Sequence, residues 1–180
     1  MTYFEELSKA LENLWPRPIE RFYNLMMEAS ESGWMIYVCG NGGSAATANH
    51  FAEDLSVTGS KHAVDVISAI SLSSNASMIT CIANDFGYQY IFSSQLNFCA
   101  RDNDILVAIS GSGNSPNVVN AVKTGKALGM KVVTMTGFDG GVIRPMGDIC
   151  IHVQSENYGI IEDCHLAVCH SIIDSIKRGE

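Results

Sequence analysis

The chain has 180 residues, a length that suits one compact domain. Hydrophobic residues make up 47% of it and charged residues 17%, a balance typical of globular and not of disordered chains. The 11 Lys and Arg residues against 19 Asp and Glu give a net charge of −8, with no basic stripe, so we expect no direct binding to nucleic acid.

The amino-terminal segment and the cysteines indicate the compartment. The first residues are acidic and lack the apolar stretch of a signal peptide. No apolar run approaches the ~20 residues that cross a bilayer. The cysteines form no C-x-x-C pair and lie in apolar runs, which is typical of reduced, buried side chains. We therefore predict a cytoplasmic protein that does not associate with a membrane.

Residues 2–31 carry apolar side chains at helical spacing, and Pro16 and Pro18 divide them into two helices. Gly33 ends the second of these helices. From there apolar strands alternate with helices, apart from a polar loop predicted at 58–62. Strands are predicted at 34–39, 64–70, 104–109, 131–136 and 149–153. Helices are predicted at 45–55, 74–83, 88–100, 116–128 and 159–176.

This alternation predicts an α/β fold, in which a parallel sheet is covered by helices on both faces. We expect one domain over residues 1–180, with a doubly wound core at 34–180. The helices of residues 1–31 form an amino-terminal extension, which we expect to serve oligomerisation. The alternative for this extension is packing on the surface of its own chain.

Two loops rich in glycine and serine follow predicted strands, "GNGGS" at residues 40–44 and "SGSGNSP" at 110–116. In open parallel sheets ligands bind beyond the carboxyl ends of the strands, where free N–H groups and the helix dipole favour an anion. Neither loop is a Walker A or dinucleotide motif, since no lysine is present and Ala45 and Pro116 replace the last glycine. Each loop alone also fits a tight turn with a capping serine, such as Ser115 before Pro116. Two of them together predict a phosphorylated small molecule as ligand.

Acidic and histidine side chains gather in two of the predicted helices. His50 and Asp54 are four residues apart and share a helix face, with Glu53 one residue off it. The last helix contains a similar group in an apolar setting: Glu162, Asp163, His165 and His170. A lone histidine in an apolar helix is usually a hydrogen-bonded core residue, but three histidines beside carboxylates also suit acid/base or metal chemistry.

Several motifs in the same order resemble the sugar isomerase (SIS) domain family and, within it, the phosphoheptose isomerases. These motifs are "CGNGGSAATANHFAEDL", "IANDFGYQYIFSSQL", "ISGSGNSPNVVNAV", "GMKVVTMTGFDGG" and "IIEDCHLAVCHSI". The resemblance implies a three-layer α/β/α flavodoxin-like sheet and a homotetramer with active sites between subunits. It also implies isomerisation of sedoheptulose 7-phosphate to D-glycero-D-manno-heptose 7-phosphate through an enediol, for nucleotide-activated heptose in surface glycans.

The resemblance assigns roles residue by residue. The phosphate would be held by the two loops, through Gly42, Gly43, Ser44, Ser110, Ser112 and Ser115. The sugar would face Asn41 and the pair Asn84 and Asp85. Asp54 and His170 would be catalytic. One Zn²⁺ per subunit would be held by four side chains: His50, Asp54, Glu162 and His170.

The spacing in the last helix adds a condition to this metal site. Glu162 and His170 are eight residues apart, about 12 Å along a helix that rises about 1.5 Å per residue. Both could not easily bind one ion from the same subunit. If both serve one site, we expect a neighbouring subunit to contribute one of them.

Two positions depart from the family pattern. Asp54 stands where the well-known enzymes have glutamate, and Glu162 stands where they have glutamine in an "R-I-Q-E" run. The extra carboxylate makes the site more anionic and favours a bound cation. The two departures together resemble a branch of the family associated with capsules or other glycans more than the lipopolysaccharide enzyme.

Two alternative functions remain open at this point. One is an isomerase of another sugar phosphate, which would share the phosphate loops. The other is a non-catalytic SIS protein of the DnaA initiator-associating type, which lacks the acidic residue after "HFA" and the histidine of the last helix. This chain has both, as Asp54 and His170.

Overall fold

A parallel sheet lies at the centre of the computed structural model, which describes residues 1–63 and 65–179. Five strands pair within these residues in the order β2-β1-β3-β4-β5. They are β1 (Met35–Cys39), β2 (Ser68–Ser71), β3 (Ile105–Ile109), β4 (Lys131–Thr136) and β5 (Ile149–His152). This order is that of flavodoxin-like doubly wound sheets and confirms the predicted fold class.

Helices connect the strands and precede them. They are α1 (Tyr3–Glu12), α2 (Pro16–Ser32), α3 (Gly43–Glu53), α4 (Ser60–His62), α5 (Ala76–Asp85), α6 (Ser93–Cys99), α7 (Pro116–Ala127) and α8 (Tyr158–Arg178). A π-helical segment (Asp54–Gly59) joins α3 to α4, and short 3₁₀ turns lie at Tyr88–Tyr90 and Arg144–Met146. Within the described residues, no helix is both long and apolar enough to span a membrane.

The sheet is covered on both faces, as the apolar strands predict. Helices α2, α3 and α8 cover one face, where Phe22, Phe51 and Ile172 join the core cluster of alternate strand residues. Helices α5, α6 and α7 cover the other face, where Leu96 and Val122 belong to a second cluster. The result is a three-layer α/β/α domain.

The two amino-terminal helices differ in their packing. Helix α2 buries Phe22 and Met26 completely and is therefore part of the layer beside the sheet. Helix α1 packs through Ala10 against α8, and the Tyr3 hydroxyl donates a hydrogen bond of 2.6 Å to the Asp163 carboxylate. This bond raises the pKa of Tyr3 to about 12.

The loop predicted at residues 58–62 is wrong, because the helix continues to His62 through the π-helical segment. Two serines of this region bond instead to the backbone at the neighbouring edge strand. The Ser56 hydroxyl donates to the Ala69 carbonyl (3.0 Å) and accepts from the Ala69 N–H (3.2 Å). Ser60 pairs with Ile67 in the same way. Polar side chains here complete a sheet edge.

The strand predicted at 64–70 begins later, at Ser68, and Val64 lies outside the described residues. The six cysteines, all within the described residues, are free, and Cys39, Cys164 and Cys169 are buried as predicted. Burial raises the pKa of the Cys39 thiol to about 12. Cys81 and Cys99 are exposed, which corrects the expectation of buried side chains at these positions.

His165 anchors α8 to the sheet. Its ring is 1% exposed, and its Nε2–H donates to the Thr136 carbonyl at 3.2 Å. Nδ1 has no hydrogen-bond partner among the described residues. Burial lowers the pKa of His165 to about 4, so the ring is neutral in the folded protein at neutral pH. His165 is therefore the hydrogen-bonded core histidine that its apolar surroundings indicate.

His165 should make the stability depend on pH. The unfolded chain binds a proton at His165 near pH 6.5, whereas the folded protein does so only near pH 4. Stability therefore falls as pH falls between these values, by at most about 3 kcal/mol at about 1.4 kcal/mol per pKa unit. The His165→Gln variant, which keeps a donor for Thr136, should lack this part of the dependence. Urea unfolding of both proteins from pH 7 to pH 4 measures this difference. If the free energy of unfolding falls equally with pH in both proteins, the low pKa of His165 is contradicted.

Candidate active site

The two serine loops lie side by side at the carboxyl edge of the sheet. Strands β1 and β3 are direct neighbours, with Cys39 paired to Ala108, so the chain leaves the sheet at adjacent points. The connections from β1 and β3 run to opposite faces, which makes this the topological switch point where ligands bind in such sheets. A cavity of about 130 Å³ opens there, lined by Asn41, Ser44, Ile109, Ser110, Gly111, Ser112, Ser115, Tyr158 and Glu162. We call it the serine cavity.

The first loop explains why two glycines begin α3. Gly42 is the residue before the helix and has φ 53°, a left-handed conformation that favours glycine. At Gly43 a Cβ atom would collide with the carboxylate of Glu162, which lies against the backbone there. Ser44 follows and is 5% exposed. The amino end of α3 therefore faces the cavity with the Glu162 carboxylate beside it, at a helix end whose dipole favours an anion.

The second loop presents hydroxyl groups to the same cavity. Ser115 precedes α7 and Pro116 is its first residue, as predicted, but the Ser115 side chain makes no capping hydrogen bond within the described chain. Its Oγ lies 3.4 Å from the Oγ of Ser110. The Ser112 Oγ accepts from the Asn114 N–H at 3.2 Å. Ser110 and Ser115 thus both line the serine cavity, where their hydroxyls are close to each other.

The polypeptide after β4 holds the second loop in place. The Gly137 N–H donates to the Gly111 carbonyl (2.8 Å), and the Ile143 N–H donates to the Gly113 carbonyl (3.2 Å). Gly113 has φ 66°, and a Cβ there would collide with the Gly140 carbonyl. The loop is therefore fixed by contacts on both sides, which suits a binding site that exists before the ligand arrives.

Asn41 is locked by residues that the sequence analysis did not identify. Its side-chain amide pairs with that of Asn117, each donating to the other at 2.9 and 2.7 Å. The Tyr88 hydroxyl also donates to the Asn41 Oδ1 at 3.0 Å. Asn117 is 1% exposed. Both partners lie inside the quoted motifs, but only the fold brings them together.

Asn84 and Asp85 lie elsewhere. They form the end of α5, both are exposed, and the Asn84 amide donates to the Asp85 carboxylate at 2.8 Å. Neither lines the serine cavity of its own chain. A role for them at the sugar stays a prediction.

A second cluster lies at the other end of α3. Ligand atoms of His50, Asp54 and His170 lie within 4.8 Å of one another. The His50 Nε2 is 3.4 Å from an Asp54 carboxylate oxygen, and the rings of His50 and His170 meet edge to face with centroids 5.0 Å apart. Asp54 is the first residue of the π-helical segment, a local change of winding that often accompanies functional sites.

The structure brings together three of the four predicted metal ligands. Glu162 is not in the cluster, and its carboxylate lies at the serine cavity instead. The distance along α8 predicts this separation of Glu162 from His170 within one chain.

The donor set of the cluster fits a zinc ion. Two imidazoles and a carboxylate are a set that catalytic zinc sites use, with a further position left open. Ligand atoms at about 2.0–2.2 Å from a tetrahedral ion lie about 3.3–3.6 Å apart. The separation of 3.4 Å between His50 and Asp54 agrees with this spacing. Exposed side chains at His50 and His170 leave room for a ligand from outside the chain.

A serine-lined cavity at the switch point of a flavodoxin-like sheet, with a histidine and carboxylate cluster at the other end of α3, defines an α/β domain with a candidate active site. Comparison with known proteins identifies the family within this class. The SIS domain model matches residues 2–137. The phosphoheptose isomerase of Helicobacter pylori (strain P12) is 40% identical over 179 residues, which cover 99% of this chain and 92% of that protein.

Solved structures agree with the sequence comparison. The phosphoheptose isomerase of Neisseria gonorrhoeae has a TM-score of 0.90 and 34% identity, with 98% of this chain and 95% of that chain covered. The enzyme of Francisella tularensis has the same TM-score and coverage at 32% identity. The chain therefore belongs to the SIS domain family and, within it, to the phosphoheptose isomerases.

The amide pair of Asn41 and Asn117 should contribute measurably to stability. Replacing Asn117 by leucine, which has a similar shape, leaves the Asn41 amide without its partner, at a cost of about 1–3 kcal/mol. Asn120→Leu on the same helix is the matched control, since Asn120 makes one hydrogen bond to the exposed Gln89 carbonyl (3.0 Å). Urea unfolding should show a clear loss for the Asn117 variant only. Equal losses would contradict a special role of the pair.

Proposed function

We propose that this protein isomerises sedoheptulose 7-phosphate to D-glycero-D-manno-heptose 7-phosphate in the biosynthesis of nucleotide-activated heptose. The observation that carries the proposal is similarity over the whole chain, since a phosphoheptose isomerase is 40% identical over 99% of this chain. The serine cavity supplies a place for the phosphate. The relatives favour this substrate over the other sugar phosphates considered above.

The reaction moves a proton between neighbouring carbons through an enediol. It needs a base for the carbon, an acid for the oxygens and a group that polarises the carbonyl. Asp54 is the base, since it is the carboxylate of the cluster and lies 3.4 Å from the His50 Nε2. His170 shares the cluster and carries protons to and from the oxygens.

Zinc is the cofactor that suits this cluster. His50, Asp54 and His170 would hold it, and Glu162 of another copy would complete the set. A bound zinc ion polarises the carbonyl and stabilises negative charge on the oxygens. The carboxylate of Asp54 has two oxygens and the His170 ring has two nitrogens, so one atom of each would remain for the proton.

The active form is a homotetramer with active sites between copies. The cluster is open to solvent in the single chain, with the His50 side chain 47% exposed, and a neighbour that covers it would exclude water from the reaction. The amino-terminal helices support assembly, because Phe4 and Trp15 are 79% and 65% exposed. A single domain whose helices of residues 1–31 join copies and whose core of residues 34–180 carries the site agrees with these features.

Loss of either proton-transfer group should abolish turnover but not folding. Asp54→Asn and His170→Ala should lower kcat at least about 10²-fold, the usual contribution of a positioned acid or base. The matched controls are Glu53→Gln and His62→Ala, which alter exposed side chains just outside the cluster. Turnover assays and circular dichroism of all four variants check this. Full activity in both cluster variants would refute the assigned roles.

Sites between copies can be tested by mixing inactive variants. A Ser110→Ala/Ser112→Ala protein loses the cavity, and an Asp54→Asn protein loses the cluster. If one copy supplies the cavity and another the cluster, tetramers assembled from both variants contain some intact sites and regain activity. A mixture of Asp54→Asn and His170→Ala, both altered in the same cluster, should stay inactive. Native mass spectrometry shows whether mixed tetramers have formed. If they have formed and activity is still absent, the proposed arrangement is contradicted.

A further inference from the structure

Glu162 places a carboxylate in the cavity that the proposed function assigns to phosphate. Its carboxylate lies so close to Gly43 that a Cβ atom there would collide with it unless the Glu162 side chain moved. The same side chain lines the serine cavity opposite Ser110 and Ser115. One anionic group of the chain therefore already lies at the amino end of α3.

The electrostatics of the cavity favour one anion and not two. Among its lining residues, all of which are described, none is Lys, Arg or His. The dipole at the start of α3 favours a negative charge there, and the free N–H groups of a helix start are available to a phosphate ester. In about 130 Å³ a second anion lies within a few ångströms of the first, where two like charges repel by about 1 kcal/mol even at the dielectric constant of water.

The side chain of Glu162 is free to leave. It is half-buried, and no hydrogen bond or ion pair holds its carboxylate in the parts of the chain that the structure describes. The adjacent carboxylate, Asp163, is by contrast held by the Tyr3 hydroxyl at 2.6 Å. The approach to Gly43 is thus the contact that the structure gives this carboxylate at the amino end of α3.

We propose that Glu162 is an internal competitor for the phosphate site. In the ligand-free protein its carboxylate occupies the anion position at the amino end of α3, and a phosphate ester binds by displacing it. Glu162 thereby sets the affinity of the cavity for phosphate groups. The inference rests on the proposed function only in taking a phosphate ester as the ligand.

Binding of inorganic phosphate to the full-length, chelator-treated protein tests this directly. Calorimetric titration should show Glu162→Gln binding phosphate about tenfold more tightly than the wild type, because a like charge is removed. Ser112→Ala should bind it more weakly. Glu156→Gln, the same substitution at an exposed residue before α8, should change the affinity less than twofold.

A second variant separates displacement from a new hydrogen bond. Glu162→Ala removes the carboxylate without adding the donor that glutamine carries, and displacement requires that it also bind phosphate more tightly. Tight binding by the glutamine variant alone, or unchanged or weaker binding by both, would overturn the proposal. The alanine variant decides the question alone if the glutamine variant does not fold.

The same proteins distinguish this inference from the proposed function. If the wild type converts sedoheptulose 7-phosphate while both Glu162 variants bind phosphate no more tightly, the inference fails and the function stands. If both variants gain affinity while the wild type converts no heptose phosphate, the function fails and the competition stands.

Discussion

The parallel pairing of β1 with β3 is the constraint on which the site depends. It aligns Ile36 with Ile105 and Cys39 with Ala108, so both strands end at the same level of the sheet. The connections then diverge to opposite faces, and the space between them becomes the serine cavity. A shift of one residue in this register would turn every side chain of one strand to the other face and separate the two loops. The apolar strands therefore position the polar site.

Two helices connect the serine cavity to the histidine and carboxylate cluster. Helix α3 starts at the cavity with Gly43 and ends before Asp54, so one element connects the anion position to the histidine and carboxylate cluster. Helix α8 crosses the same region with Glu162 at the cavity and His170 at the cluster. The buried bond from His165 to the Thr136 carbonyl fixes α8 on the sheet. The distance between the groups is thus set by the helix rise and by core packing.

Much of the fold follows from periodicity, and the site follows from it only in part. The prolines, the glycine loops and the apolar runs predict the strands, the sheet edge at which the loops lie and helix starts such as Pro116, because local chemistry determines them. The π-helical continuation after Glu53 escapes prediction, because Ser56 and Ser60 bond to a strand that is distant in sequence. Asn117 and Tyr88 reach Asn41 only through tertiary packing. Spacing in α8 does separate Glu162 from His170, but it does not show that Glu162 contacts Gly43.

The most direct test of the account is turnover of sedoheptulose 7-phosphate by the purified protein, followed by phosphorus and proton NMR. The assay is run after chelation and again after Zn²⁺ is restored. The account predicts conversion to an aldoheptose 7-phosphate, lost on chelation and recovered with zinc. An unchanged substrate spectrum under both conditions, from a protein that is folded and assembled, would contradict the assignment of this chain as a heptose phosphate isomerase.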